Sequence, residues 1–146
     1  MIKNNVITFI FLLLTVEAFA HCQIPCGIYD DQARLLSMKE HVSTLQKSVR
    51  EIIALEKKQD ALSFNQRVRW VNNKEAHADE IIKMSTDYFL TQRVKPSQKD
   101  YNKRLELHHK VMIQAMKVKQ TVDFNEVNSL DKLIDELKLF YPAHKH

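Results

Sequence analysis

Glycine is almost missing from this chain: Gly27 is the only one in 146 residues. Proline occurs three times, at Pro25, Pro96 and Pro142, and cysteine twice, at Cys22 and Cys26. The one glycine, one of the prolines and both cysteines thus crowd into a few residues, and the rest is nearly free of helix breakers. There is no second cysteine pair and no C-x-x-C-H, which excludes zinc-ribbon and c-type haem patterns. Runs of five or more like charges are absent, as is any interleaving of basic and aromatic residues. The formal net charge of +4 therefore gives nucleic acid no specific support as a partner. Strand-type alternation is nowhere sustained.

Long apolar runs are lacking too. The longest, Val6 to Val16, covers about 16 Å as a helix, against a hydrocarbon core of roughly 30 Å. A permanent membrane anchor is not expected. The run follows Lys3 and precedes Ala18-Phe19-Ala20, the small-x-small pattern that signal peptidases accept. Residues 1–20 are expected to be a cleaved signal peptide, with signal peptidase as the processing partner. The mature chain would begin at His21 and act after export, in a periplasm or outside the cell.

What is present is helical spacing. Leu35, Met38, Val42, Leu45, Val49 and Ile52 alternate steps of three and four, a stripe on one long helix that Asp30 or Asp31 would cap. A second helix is expected from Asp60 or Ser63 to about Leu90. Its core candidates are Phe64, Val68, Val71, Ala78, Ile81 or Ile82, Met84 or Ser85, and Tyr88. Pro96 separates it from a third, carrying Tyr101, Leu105, His108, Met112 and Ala115 on one face. Asp123 starts a fourth with Val127, Leu130, Ile134 and Leu137, ending before Pro142. The fold class is all-α: an antiparallel up-down four-helix bundle over residues 30–146, preceded by a hook at 21–29. A bundle implies no chemistry by itself.

The hook supplies the chemistry. Cleavage would give His21 a primary amine, and the Cys22 amide beside it can close a five-membered chelate once deprotonated. The thiolates of Cys22 and Cys26 complete two nitrogens and two sulfurs, with the His21 imidazole free along the axis. Such a square favours Ni(II) or Cu(II), whereas zinc prefers a tetrahedron. Pro25 and Gly27 bracket Cys26 and bend the chain. Spacing alone leaves a disulfide or redox role open beside metal binding. A disulfide here would close only a five-residue loop and stabilise little. Placement of His-Cys directly after the cleavage site favours metal.

His21-Cys-Gln-Ile-Pro-Cys-Gly-Ile-Tyr29 resembles the His-Cys-x-x-Pro-Cys-Gly-x-Tyr hook of nickel-dependent superoxide dismutases at every fixed position. Asp87-Tyr88-Phe89 is similar to a recurrent segment of the same family. The resemblance implies a homohexamer of four-helix bundles with one nickel ion per subunit. It also implies conversion of superoxide to oxygen and hydrogen peroxide by Ni(II)/Ni(III) cycling. The implied metal ligands are His21, Cys22 and Cys26, and Tyr29 and Tyr88 would flank the substrate approach and order water. Two departures stand out: Gln23 occupies a position that is Asp in the best-studied members, and no Arg–Glu pair that supports the hook in some relatives is evident. The alternative is an exported nickel- or copper-binding delivery protein without turnover. A third reading is a metal-free interaction bundle. Glu106-x-x-His109 resembles half of a di-iron motif without a second half, and His144 and His146 read as a solvated tail.

Overall fold

The computed structural model describes residues 28–142, and among these the chain is helical throughout with no strand. The helices are α1 (Asp31–Ala54), α2 (Ala61–Lys83), α3 (Tyr101–Gln120) and α4 (Phe124–Lys138). A π-helical segment, Met84–Arg93, continues α2 without a break.

Side-chain caps fix three of the four starts. Asp30 Oδ1 accepts from the Ala33 amide at 2.9 Å, Asp60 Oδ1 from the Ser63 amide at 2.9 Å, and Asp123 Oδ1 from the Asn125 amide at 2.8 Å. Each satisfies an amide that the first helical turn leaves open, at about 1 kcal/mol apiece.

Contacts join α1 to α2, α2 to α3, α3 to α4 and α4 back to α1, closing a ring of four. Residues 94–100, the longest link, reach at most about 25 Å. That is less than the roughly 30 Å length of α3, so a packed successor must run antiparallel.

The expected stripes of α1 and α4 are buried in full: Leu35, Met38, Val42, Leu45, Val49 and Ile52 face Val127, Leu130, Ile134 and Leu137. The other two helices need correction. In α2 the expected Ala78 and Ile81 are buried, but Phe64, Val68 and Val71 are exposed, and Ser63 and Lys74 turn inward instead. In α3 the buried face is Leu107, His108, Val111, Gln114, Ala115 and Val118, with Tyr101, Leu105 and Met112 only partly covered.

Polar partners explain the α2 face. Asn73 Nδ2 donates to Ser48 Oγ at 3.0 Å. Lys74 sends its ammonium to the carbonyls of Val118 (2.7 Å), Lys119 (2.5 Å) and Thr121 (2.8 Å). Those carbonyls close the end of α3, where no further helical amide reaches them, and a cation there is favoured by the helix dipole. The polar middle of α2 is therefore an inter-helix clamp.

Candidate functional site

Tyr29 is the last residue of the expected hook and sits just before the Asp30 cap. It is half-buried, and its ring meets that of Tyr88 edge-on, with centroids 6.2 Å apart and planes at 76°. The two tyrosines expected at the site are thus brought together across 59 residues of sequence. Edge-to-face contact at this distance is the arrangement that aromatic quadrupoles favour.

Two residues not expected there tie the pair down. Arg93 places its guanidinium 4.3 Å from the Tyr29 ring centroid, a cation–π contact. The same guanidinium grips Asp31 twice, Nε to Oδ1 and Nη2 to Oδ2, each at 2.7 Å. Asp31 Oδ1 also accepts the Tyr88 hydroxyl at 2.8 Å. One buried carboxylate therefore joins the first turn of α1 to the end of the π segment. A second guanidinium, Arg34, lies 5.4 Å from the Tyr88 ring.

The π segment makes this geometry. Its wider turn bonds i to i+5, and its close is marked by the Val94 amide donating to the Phe89 carbonyl at 2.9 Å. Tyr88 and Arg93 are five apart and so fall one above the other, both facing Asp31. With ordinary α spacing the two would diverge around the helix.

Behind Tyr88 lies an aromatic stack. Phe89 meets Tyr88 edge-on and stacks on His108, both at 4.9 Å between centroids. His108 Nε2 and the Tyr141 hydroxyl lie 2.9 Å apart, and Arg104 covers the Tyr141 ring at 4.7 Å. His108 is a packed, hydrogen-bonded core residue. Burial, helped by the charge of Arg104, pushes its pKa down to about 4, so the ring is neutral at physiological pH.

Burial also pushes the Tyr88 phenol well above its ordinary range, and the hydrogen bond to Asp31 and that residue's charge add to the effect. Arg93 is held above its usual value, chiefly by its bond to Asp31. Tyr88 therefore stays protonated, with its proton committed to Asp31. Its phenolic oxygen keeps lone pairs with which to accept a hydrogen bond.

His21, Cys22 and Cys26 lie outside the described residues, as do Pro25, Gly27, residues 1–20 and the His144–His146 tail. Among the described residues no three His, Cys, Asp or Glu side chains converge as a metal site. Glu106 pairs with Lys103 and Lys110 and does not face inward, which removes the di-iron resemblance. No helix among the described residues is long and apolar enough to cross a membrane.

Both cysteines of the chain, Cys22 and Cys26, lie in the short segment that precedes Tyr29 in the sequence. Residues 16–145 match the family of nickel-containing superoxide dismutases. The chain belongs to that family: it is a superoxide dismutase, an oxidoreductase that uses nickel. No match was found among curated proteins or among solved structures.

Sequence reasoning missed Asp31 and Arg93 as site residues. Asp31 was legible only as a possible cap. Arg93 carries no local signal, because its partner lies 62 residues away.

Proposed function

We propose that dismutation takes place at residues 21–29, with nickel held by the His21 amine and imidazole, the Cys22 amide and thiolate, and the Cys26 thiolate. The observation that carries this reading is the seating of Tyr29 on Tyr88 and Arg93, which anchors the end of the hook to the bundle. The donor set fits nickel: two thiolates with two adjacent nitrogens and an imidazole would suit the ion and would support its higher oxidation state. Nickel bound there supplies the one-electron (II)/(III) couple that alternate oxidation and reduction of superoxide requires.

The chain's own residues do the rest. Arg93 and Asp31 hold Tyr29 and the first turn of α1, where the hook joins the bundle. Tyr88 keeps its own proton on the Asp31 side, and its phenolic oxygen would be left as a hydrogen-bond acceptor for water at the site. The aromatic wall of Tyr29 and Tyr88 limits what can approach to something small. A dismutase must admit superoxide and release hydrogen peroxide, and both are diatomic in heavy atoms.

Export followed by cleavage before His21 would create the amine ligand, making maturation and targeting one event. Assembly into a homohexamer, as the family resemblance implies, fits the exposed apolar face of Phe64, Val68 and Val71. The delivery reading differs in requiring release of the metal. Nickel quantification and the absorption of square Ni(II)–thiolate in Cys22→Ser and Cys26→Ser variants test the ligand set. Loss of bound nickel in both supports the hook, whereas retention in either places the metal elsewhere.

A further inference from the structure

Away from the hook, His41 on α1 and His77 on α2 bring identical ring nitrogens together, Nδ1 to Nδ1 at 2.7 Å. The rings are tilted at 59° with centroids 4.9 Å apart, so they converge at one edge and do not stack. Both side chains are partly exposed. Two facing Nδ1 atoms have room for only one proton between them. One ring must donate while the other presents its lone pair.

We propose that His41 and His77 form a second metal site, a bis-imidazole clamp between α1 and α2 for a divalent first-row transition ion such as zinc. The ion takes the place of the shared proton. Each ring then holds its own proton on Nε2 and offers Nδ1 as a ligand, the neutral form in which histidine binds metals. Zinc–nitrogen bonds of about 2.0–2.1 Å at a tetrahedral angle put the two nitrogens about 3.3 Å apart. The required opening, roughly 0.6 Å, is within reach of two half-exposed side chains.

Burial and the neighbouring His77 push the His41 pKa down, which keeps the ring in the neutral form that binds metal, while Glu80 and Glu40 act in the opposite direction and supply negative charge nearby. Glu80 also lies three residues beyond His77, on the same side of α2. The pair is not explained by stability alone, since a neutral hydrogen bond at a wet surface contributes only about 1 kcal/mol. Among the described residues no third His, Cys, Asp or Glu already converges with the pair, so water completes the coordination of the bound ion.

The test is calorimetric titration of zinc into the full nickel-loaded protein, alongside H41Q, H77Q and a variant with both His144 and His146 changed to Gln. Histidine NMR signals and the thermal midpoint are followed in parallel. The expected result is one zinc equivalent that shifts the His41 and His77 signals and raises the midpoint. H41Q and H77Q should each weaken binding by about tenfold or more, while the tail variant binds as before. Superoxide turnover in H77Q should match the parent, showing that the fold is intact. Zinc affinity unchanged in H41Q and H77Q, or no zinc bound by the parent protein, would overturn the proposal.

Discussion

Arg93 holds Asp31 with two parallel 2.7 Å hydrogen bonds while its guanidinium face covers Tyr29. That single contact connects the end of the second helical stretch, the first turn of α1 and the root of the hook. A fork–fork pair is both stronger and more directional than a point charge would be.

Arg93→Ala leaves Asp31 a buried carboxylate with only the Tyr88 hydroxyl for a partner. Removing one partner of a buried pair costs about 3–5 kcal/mol, and since Arg93 is partly exposed the lower end is expected. Arg93→Lys keeps the charge and loses the fork, so it should recover only part of the stability. Chemical denaturation of nickel-loaded protein checks both.

Tyr88→Phe removes the hydroxyl and keeps the ring in its contacts with Tyr29 and Phe89. The stability loss should be about 1.5–3 kcal/mol, the range for a hydrogen bond to a charged acceptor. Superoxide turnover should fall more than nickel content does. Equal loss of both would mean that Tyr88 acts only by holding the hook.

Lys74→Met keeps the length of the side chain and deletes three hydrogen bonds to the end of α3. The carbonyls are left without that donor, and a loss of about 2–4 kcal/mol is expected. Amide exchange should quicken first around Val118 to Thr121. Uniform exchange across the bundle would contradict the clamp.

His108 gives stability a pH dependence of defined sign. Its folded pKa, about 4, lies below its unfolded value of about 6.5, so the unfolded chain takes up the proton first. Stability should therefore fall as pH drops from about 6.5 to about 4 and level off for this group below that. The contribution is on the order of 3 kcal/mol. His41, also lowered by burial and by His77, acts in the same direction. His108→Gln should flatten the profile in this window, as read by urea midpoints at several pH values.

How legible the fold was depended on what each helix faces. The α1 and α4 stripes were readable because both helices pack apolar side chains on a single core. In α2, spacing pointed correctly to Ala78 and Ile81 but also to Phe64, Val68 and Val71, whereas the other buried positions are held by Ser63, bonded to the Asp60 cap of the same helix, and Lys74, whose partners lie at the end of α3. Periodicity locates an apolar stripe and does not say which side of the bundle it is on. The α3 face was misjudged for a related reason: Leu107 and Val111 were overlooked beside the correctly placed His108 and Ala115. The π turn has no sequence signal, and without it Arg93 cannot be aligned with Tyr88. The hook, by contrast, is written in consecutive residues, of which all but Ile28 and Tyr29 lie outside the described residues.

The central claim is that the His21 amine is a working ligand, and superoxide decay tests it most directly. Nickel-loaded protein beginning at His21 is compared with an otherwise identical protein that retains Ala20. Rapid decay with the first and little with the second is the predicted result. Equal decay with both would show that the amine is not needed, and a His21 protein that holds nickel but leaves superoxide untouched would contradict the hook as the site of turnover.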